Sequence, residues 1–212
     1  MAPPMIPACL PPREVSRPKV PPPPNACDTH AHVFGPSARF PYADDRSYTP
    51  PDAPLENYLG MLDRIGFARG VLVQGSAHGR DNSAMLDALA QRPDRLRGVA
   101  VADADIAPAL LREWNRLGVR GLRFNHFFRD GQLHYRGGVP LSVARTLAPE
   151  IAELGWHLQL WIDVNEVGSR FAMEFLQQHS CSNTTHLLQR LPDGRQAGNL
   201  ELGGLDVVKS KD

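Results

Sequence analysis

The feature that most constrains this chain is a repeated switch between two hydrophobic periods. Short apolar runs fall at about Cys27–Phe34, Gly70–Gly75, Gly98–Asp103, Val119–Asn125 and His157–Asp163. Between them lie stretches with apolar residues at helical spacing. Leu55, Tyr58, Leu59, Leu62 and Ile65 precede Gly66. Met85, Leu86 and Leu89 lie within about Asn82–Gln91. Leu110, Leu111, Trp114 and Leu117 precede Gly118, and Leu141–Leu154 precedes Gly155. The first helix is expected to start near Asp52, with Pro54 in its first turn and Glu56 nearby. Strands alternating with helices imply right-handed βαβ units on a parallel sheet.

Strand parity sharpens this expectation. Asp28, His30 and His32 share one face of the first strand, opposite Cys27, Thr29, Ala31 and Val33. Gly121, Arg123 and Asn125 oppose Arg120, Leu122 and Phe124, and His157, Gln159, Trp161 and Asp163 oppose Leu158, Leu160 and Ile162. A doubly wound sheet is apolar on both faces. One polar face, richer toward the strand C-termini, suits the inside of a barrel, whose chemistry sits at that end. With 212 residues the chain is shorter than the roughly 250 typical of a complete eight-stranded barrel.

Composition excludes other classes. Lys+Arg and Asp+Glu are both 23, so the chain lacks the basic excess of a general nucleic-acid binder. Hydrophobic residues make up 42% and charged residues 22%, too apolar for a disordered chain. No apolar run approaches the roughly 18 residues of a membrane span. Three scattered cysteines, Cys9, Cys27 and Cys181, make no disulfide framework and point to a reducing, cytoplasmic setting. Residues 1–24 hold 10 of the 20 prolines and read as an extended arm.

Three sets of residues invite chemistry. His30 and His32, two apart on a strand, point the same way and can share a divalent metal or hold a substrate carbonyl. The plain alternative is a pair of backbone-bonded histidines. Arg120, Arg123, Arg129 and Arg136 stand against one acid, Asp130, in residues 119–136. Arginine forks bind carboxylates bidentately. Arg123 faces the barrel interior, where either an anionic substrate or an internal ion pair to Asp28, Asp103 or Asp163 would compensate it. Arg120, on the other face, reads as structural. The loop Gln74-Gly75-Ser76-Ala77-His78-Gly79 follows the second strand, with Ser76 able to donate to a carbonyl or carboxylate. It is not a Gly-X-Ser-X-Gly nucleophile elbow. His126 and His134 read as loop histidines, and Tyr42 and Tyr48 as packing residues able to cover a site.

The segments Pro21–Pro36, Phe40-Pro41-Tyr42, Tyr48-Thr49-Pro50, Val73–Asn82, Gly118–Asn125 and Leu154-Gly155-Trp156-His157 together resemble the 2-pyrone-4,6-dicarboxylate lactonase-like branch of the amidohydrolase superfamily. The resemblance covers about residues 18 to 166. It implies a (β/α)8 barrel that hydrolyses a lactone of a small dicarboxylic acid from aromatic breakdown. It implies a catalytic role for His30 and His32, which bind a divalent metal such as Zn in some members and work without one in the pyrone lactonases. It implies substrate contacts at or near Tyr48, Ser76, His78, Arg123, Asn125 and Arg129. Trp161 stands where the family has Tyr, a departure that bears on the substrate.

The family continues with a strand ending Asp-His-Met-Gly and a last strand bearing Gly-Thr-Asp-Trp-Pro, whose Asp activates water as general base. Neither motif occurs in these 212 residues. Residues 167–179 are expected to form one helix and Leu205–Val208 a short strand. His179, Cys181 and His186 have no common metal-site spacing. The expected organisation is a proline-rich arm (1–24), an incomplete amidohydrolase-type (β/α)8 barrel of about five βα units (25–166) and a divergent tail (167–212). A truncated or frameshifted chain that departs near Glu166 explains the tail and implies impaired activity. The alternatives are an inactive fragment that binds a small anionic di-acid, or a metal-dependent decarboxylase of the same superfamily.

Overall fold

A computed structural model describes residues 6–129, 132–133, 137–163, 183–190 and 196–203. The chain divides into two compact units. The first comprises Met1–Ala100, Arg116–Val119 and Tyr135–Gly137, and the second Val101–Asn115, Arg120–His134 and Gly138–Asp212.

In the first unit, β1 (Cys27–Ala31), β2 (Arg69–Val73) and β3 (Leu96–Ala100) form parallel pairs in the order β1-β2-β3. Helices α1 (Leu55–Ile65) and α2 (Ser83–Gln91) connect them, as the alternating periods predict. Leu55, Tyr58 and Leu62 of α1 are buried, as are Met85, Ala88 and Leu89 of α2, with Leu72, Leu96 and Ala100 beneath them. α1 stops where Gly66 turns left-handed at φ 96° and its N–H reaches back to the Leu62 carbonyl.

Two expectations are corrected here. The first helix begins at Leu55, with Pro54 as an extended N-cap, and not near Asp52. The Asp52 carboxylate is committed to the preceding loop, where it accepts from the Ser37 backbone N–H (3.1 Å) and from the Tyr42 hydroxyl (3.0 Å). The first strand ends at Ala31, not Phe34, and a bulge breaks its register. Asp28 pairs with Gly70 but Ala31 pairs with Leu72, so β1 carries one residue more than its partner over that step. Strict alternation therefore fails between Asp28 and Ala31. Phe34 instead exchanges backbone hydrogen bonds with Ala53.

The proline-rich segment lies against this unit. Cys9 N–H donates to the Thr49 carbonyl (2.9 Å) and Thr49 N–H to the Pro7 carbonyl (2.8 Å).

In the second unit, β4 (Val119–His126) pairs in parallel with a later strand across α4 (Leu141–Glu153). A short antiparallel ribbon, β5 (Phe128–Arg129) and β6 (Gln132–Leu133), leads away from β4. The later strand is β7 (His157–Asp163), running from Gly121↔His157 to His126↔Ile162. Helix α3 (Pro108–Leu117) precedes β4. Leu122, Phe124, Leu141, Ile151, Trp156 and Leu158 are fully buried. Trp156 donates from Nε1 to Asn115 Oδ1 (2.9 Å), and Arg120 donates to the same residue's carbonyl (2.7 Å), the structural role expected for it.

The edge of β7 is not open, as an isolated half-barrel would leave it. β9 (Gln196–Gly203) pairs antiparallel with β7, and β8 (Asn183–Arg190) pairs antiparallel with β9. An uncovered strand edge leaves a row of backbone donors and acceptors without partners, and this hairpin supplies them. The helix expected at 167–179 and the strand expected at Leu205–Val208 lie outside the described residues. No helix among the described residues is long and apolar enough to cross a membrane.

Candidate active site

The His-X-His pair lies at the C-terminal end of β1 and just beyond it. The two rings meet edge to face, with centroids 5.1 Å apart and planes at 88°. His32 donates from Nδ1 to the Val73 carbonyl at the end of β2, at 2.8 Å. A carbonyl oxygen only accepts, so this bond fixes the proton on Nδ1. In the neutral ring Nε2 then carries the lone pair. His30 is oriented through its backbone, whose N–H donates to Asp28 Oδ1 (3.2 Å). Asp28 Oδ2 accepts from the Tyr58 hydroxyl of α1 (3.1 Å). Burial, and then the Asp28 charge and hydrogen bond, push the Tyr58 phenol well above its usual range.

An aromatic wall continues from His32. Its ring lies 5.7 Å from Phe34, and Phe34 stacks on His78 at 5.9 Å. Tyr42 contacts His78 at 4.9 Å, and Tyr48 meets Phe34 edge on at 6.4 Å. Ser76 opens the 3-10 turn Ser76–His78 after β2, and its hydroxyl donates to the Tyr48 oxygen (3.3 Å). Four residues singled out from sequence, His32, Tyr48, Ser76 and His78, thus join one network of ring contacts and hydrogen bonds. His78 is buried, with Nδ1 donating to the Pro41 carbonyl (3.1 Å) and Nε2 accepting from Gly35 N–H (3.4 Å). Those bonds make it a clamp between the two loops. Burial, and then the hydrogen bond to Asp52, raise the Tyr42 phenol.

In the second unit, the parity of β4 and β7 brings Arg123, Asn125, Gln159 and Trp161 together. Arg123 pairs with Gln159 and Asn125 with Trp161. All four are buried. The Arg123 guanidinium carbon lies 5.5 Å from the Trp161 ring centroid, a cation–π contact. Asn125 N–H donates to the Val139 carbonyl (2.8 Å), while among the described residues nothing donates to its buried side-chain Oδ1. Arg129 belongs to β5 by its backbone. His134 and Arg136 lie outside the described residues.

Sequence reading missed three participants. Asp28 bonds Tyr58 across 30 residues, and Asp52 bonds Tyr42 across a loop. Gln74 is buried and donates to the Asp81 carbonyl (2.7 Å), which folds the Ser76 loop. A buried Gln at a strand end was the available signal.

The sequence resemblance implies a divalent metal in some members. The His32 bond to a backbone carbonyl is the kind of support that orients a ligating imidazole. Among the described residues, however, no group of three or more His, Cys, Asp or Glu is placed to hold a metal ion. Two imidazoles alone are an incomplete donor set for such an ion.

Comparison with known proteins decides the family. The sequence profile described as Amidohydrolase matches residues 27–195. The chain belongs to the amidohydrolase family. It is 40% identical over 148 residues to a 2-pyrone-4,6-dicarboxylate hydrolase of Comamonas testosteroni, which covers 70% of this chain and 47% of that protein. It is 48% identical over 120 residues to a 4-sulfomuconolactone hydrolase of Rhizobium radiobacter, covering 56% and 40% of the two chains. The chain therefore spans about half the length of the curated relatives it matches. Among solved structures, a putative 2-pyrone-4,6-dicarboxylic acid hydrolase from Pseudomonas putida aligns with TM-score 0.56 and 38% identity, over 72% of this chain and 53% of that one. A probable enzyme of the same description from Acinetobacter baumannii, with citric acid bound, gives 0.51 and 31%, over 64% and 49%. The fold class of this amidohydrolase is thus an incomplete (β/α)8 barrel, of which β1 to β4 and β7 are the parallel strands.

Proposed function

We propose that this amidohydrolase acts on a lactone of a small dicarboxylic acid, with His30 and His32 at the ester and Arg123 on a carboxylate. The observation that carries the reading is the edge-to-face histidine pair, with His32 locked by the Val73 carbonyl. That lock leaves Nε2 as the working atom. Neutral, it accepts a proton from attacking water; protonated, it donates to the lactone carbonyl oxygen as negative charge develops there. Water adds to the carbonyl carbon, the ring C–O bond breaks, and the released oxygen takes a proton. Tyr48, Ser76 and His78 hold the neighbouring loops, and Asn125 and Arg129 assist at the anionic groups.

Two findings support the substrate class. The matched relatives are named for a pyrone dicarboxylate and a sulfomuconolactone, both anionic lactones by name. A related crystal structure holds citric acid, a polycarboxylate. The arginine fork suits such a ligand, and the Trp161 face beneath it restricts the guanidinium plane.

The test is a titration of the purified chain with 2-pyrone-4,6-dicarboxylate, followed by loss of pyrone absorbance. Saturable binding is expected, with ring opening that disappears in His30→Ala and His32→Ala and weaker binding in Arg123→Ala. A wild-type chain that neither binds the pyrone di-acid nor opens it overturns the reading.

A further inference from the structure

A cavity of ≈ 390 Å³ lies between the proline-rich segment and α1. Pro12, Arg13, Glu14 and Val15 form one wall, and Asn57, Gly60, Met61 and Arg64 form the other. The helix residues recur three or four apart, so they share one face of α1, beside the stripe that packs inward. His32 and Tyr58 also reach this space, so it adjoins the histidine pair.

The wall chemistry selects a ligand. Arg13 and Arg64 place a guanidinium on each wall, and among the described residues neither makes an ion pair or a hydrogen bond. Glu14 is the single acid of the lining. Pro12, Val15, Ala53 and Met61 add apolar surface between the charges. The volume is at the small end of the range for organic ligands, about 300–1,000 Å³. Two arginine forks flanking an apolar strip match an anion with a carboxylate at each end of a short hydrocarbon body.

We infer that this cavity is a binding site for a small organic dicarboxylate, walled by the proline-rich segment and by Arg64 of α1. It concerns binding alone, so it does not depend on turnover.

Gly60 offers a clean probe. A Cβ built there meets nothing within 4 Å, so Gly60→Phe fills the cavity without disturbing the packed side of the helix. The experiment is isothermal titration of the full chain with isophthalate, a planar di-acid with no ester ring to open. Wild type, Gly60→Phe, Arg64→Gln and Arg123→Lys are compared, with circular dichroism to check the fold. Two binding events are expected in wild type: one at the cavity, which weakens roughly tenfold or more in Gly60→Phe and in Arg64→Gln and persists in Arg123→Lys, and one at Arg123, which weakens in Arg123→Lys alone. Benzoate, with one carboxylate, binds roughly tenfold more weakly. Unchanged titrations for Gly60→Phe and Arg64→Gln overturn the inference, as does a wild type that takes up no isophthalate. If a single event is seen and Arg123→Lys alone weakens it, the di-acid sits at Arg123; the cavity is then refuted while the lactone reading stands.

Discussion

One backbone carbonyl sets the chemistry of His32. Val73 accepts from Nδ1, so in the neutral ring the lone pair lies on Nε2. Tyr58 acts one step back, through Asp28 and then the His30 backbone. Tyr58→Phe leaves a half-buried carboxylate oxygen without that donor, and is expected to cost about 1 kcal/mol in denaturant unfolding. The same variant tests the raised phenol. A tyrosine whose folded pKa lies above the ordinary value of about 10 contributes fully below that value. The contribution is lost as pH rises through the folded pKa. Wild type should therefore lose stability between pH about 10 and strongly alkaline solution more steeply than Tyr58→Phe does, as read by urea midpoints. At Arg123, the expected effect falls on binding. Arg123→Lys keeps the charge but loses the fork and the flat stack on Trp161. Affinity for the pyrone di-acid should drop roughly tenfold with an unchanged circular dichroism spectrum.

At the scale of elements, helix ends and close approaches carry the precision. Gly66 ends α1 in a left-handed conformation that a side chain resists. Gly66→Ala is expected to destabilise by about 1–2 kcal/mol, measured as a shift in urea midpoint. Gly70 matters for a different reason. It lies on β2 directly beneath the Tyr58 hydroxyl, so any Cβ there collides with that group. Gly70→Ala should cost more than Gly66→Ala, because the Tyr58–Asp28 bond must break to make room. A smaller loss than for Gly66→Ala would show that α1 can slide, against the packing described. The bulge in β1 is also an element-scale device. It lets Asp28 serve the helix side through Tyr58 while the histidines two and four residues later meet each other and β2.

At the scale of the whole molecule, the tryptophans report on folding. The chain has three tryptophans, Trp114, Trp156 and Trp161, and each is no more than 8% exposed. Folded protein should therefore emit to the blue of denatured protein and resist quenching by iodide. Strong iodide quenching of the native state would contradict the burial of at least one of them. The order of elements was readable at this scale: five parallel strands and four helices fall close to where the two periods place them. The hairpin of β8 and β9 was not. Its residues carry no clean alternation, and only the open edge of β7 gives them a partner.

The sequence by itself determined what depends on neighbours along the chain. Helical spacing, left-handed glycine stops at Gly66 and Gly155, and strand parity are local consequences of backbone sterics, and they put Arg123 and Asn125 on one face. The His-X-His motif and its companion segments carried the family in the same way. Tertiary structure alone decided which distant groups meet. Nothing in the order of residues says that Val73 will hold His32 from 41 positions away, that Asp28 will turn to Tyr58, or that Arg13 will face the same cavity as Arg64. Those pairings depend on strand register, on one extra residue in a bulge and on where a proline-rich segment comes to rest. Many registers satisfy the same hydrophobic pattern, and only the packed core selects among them.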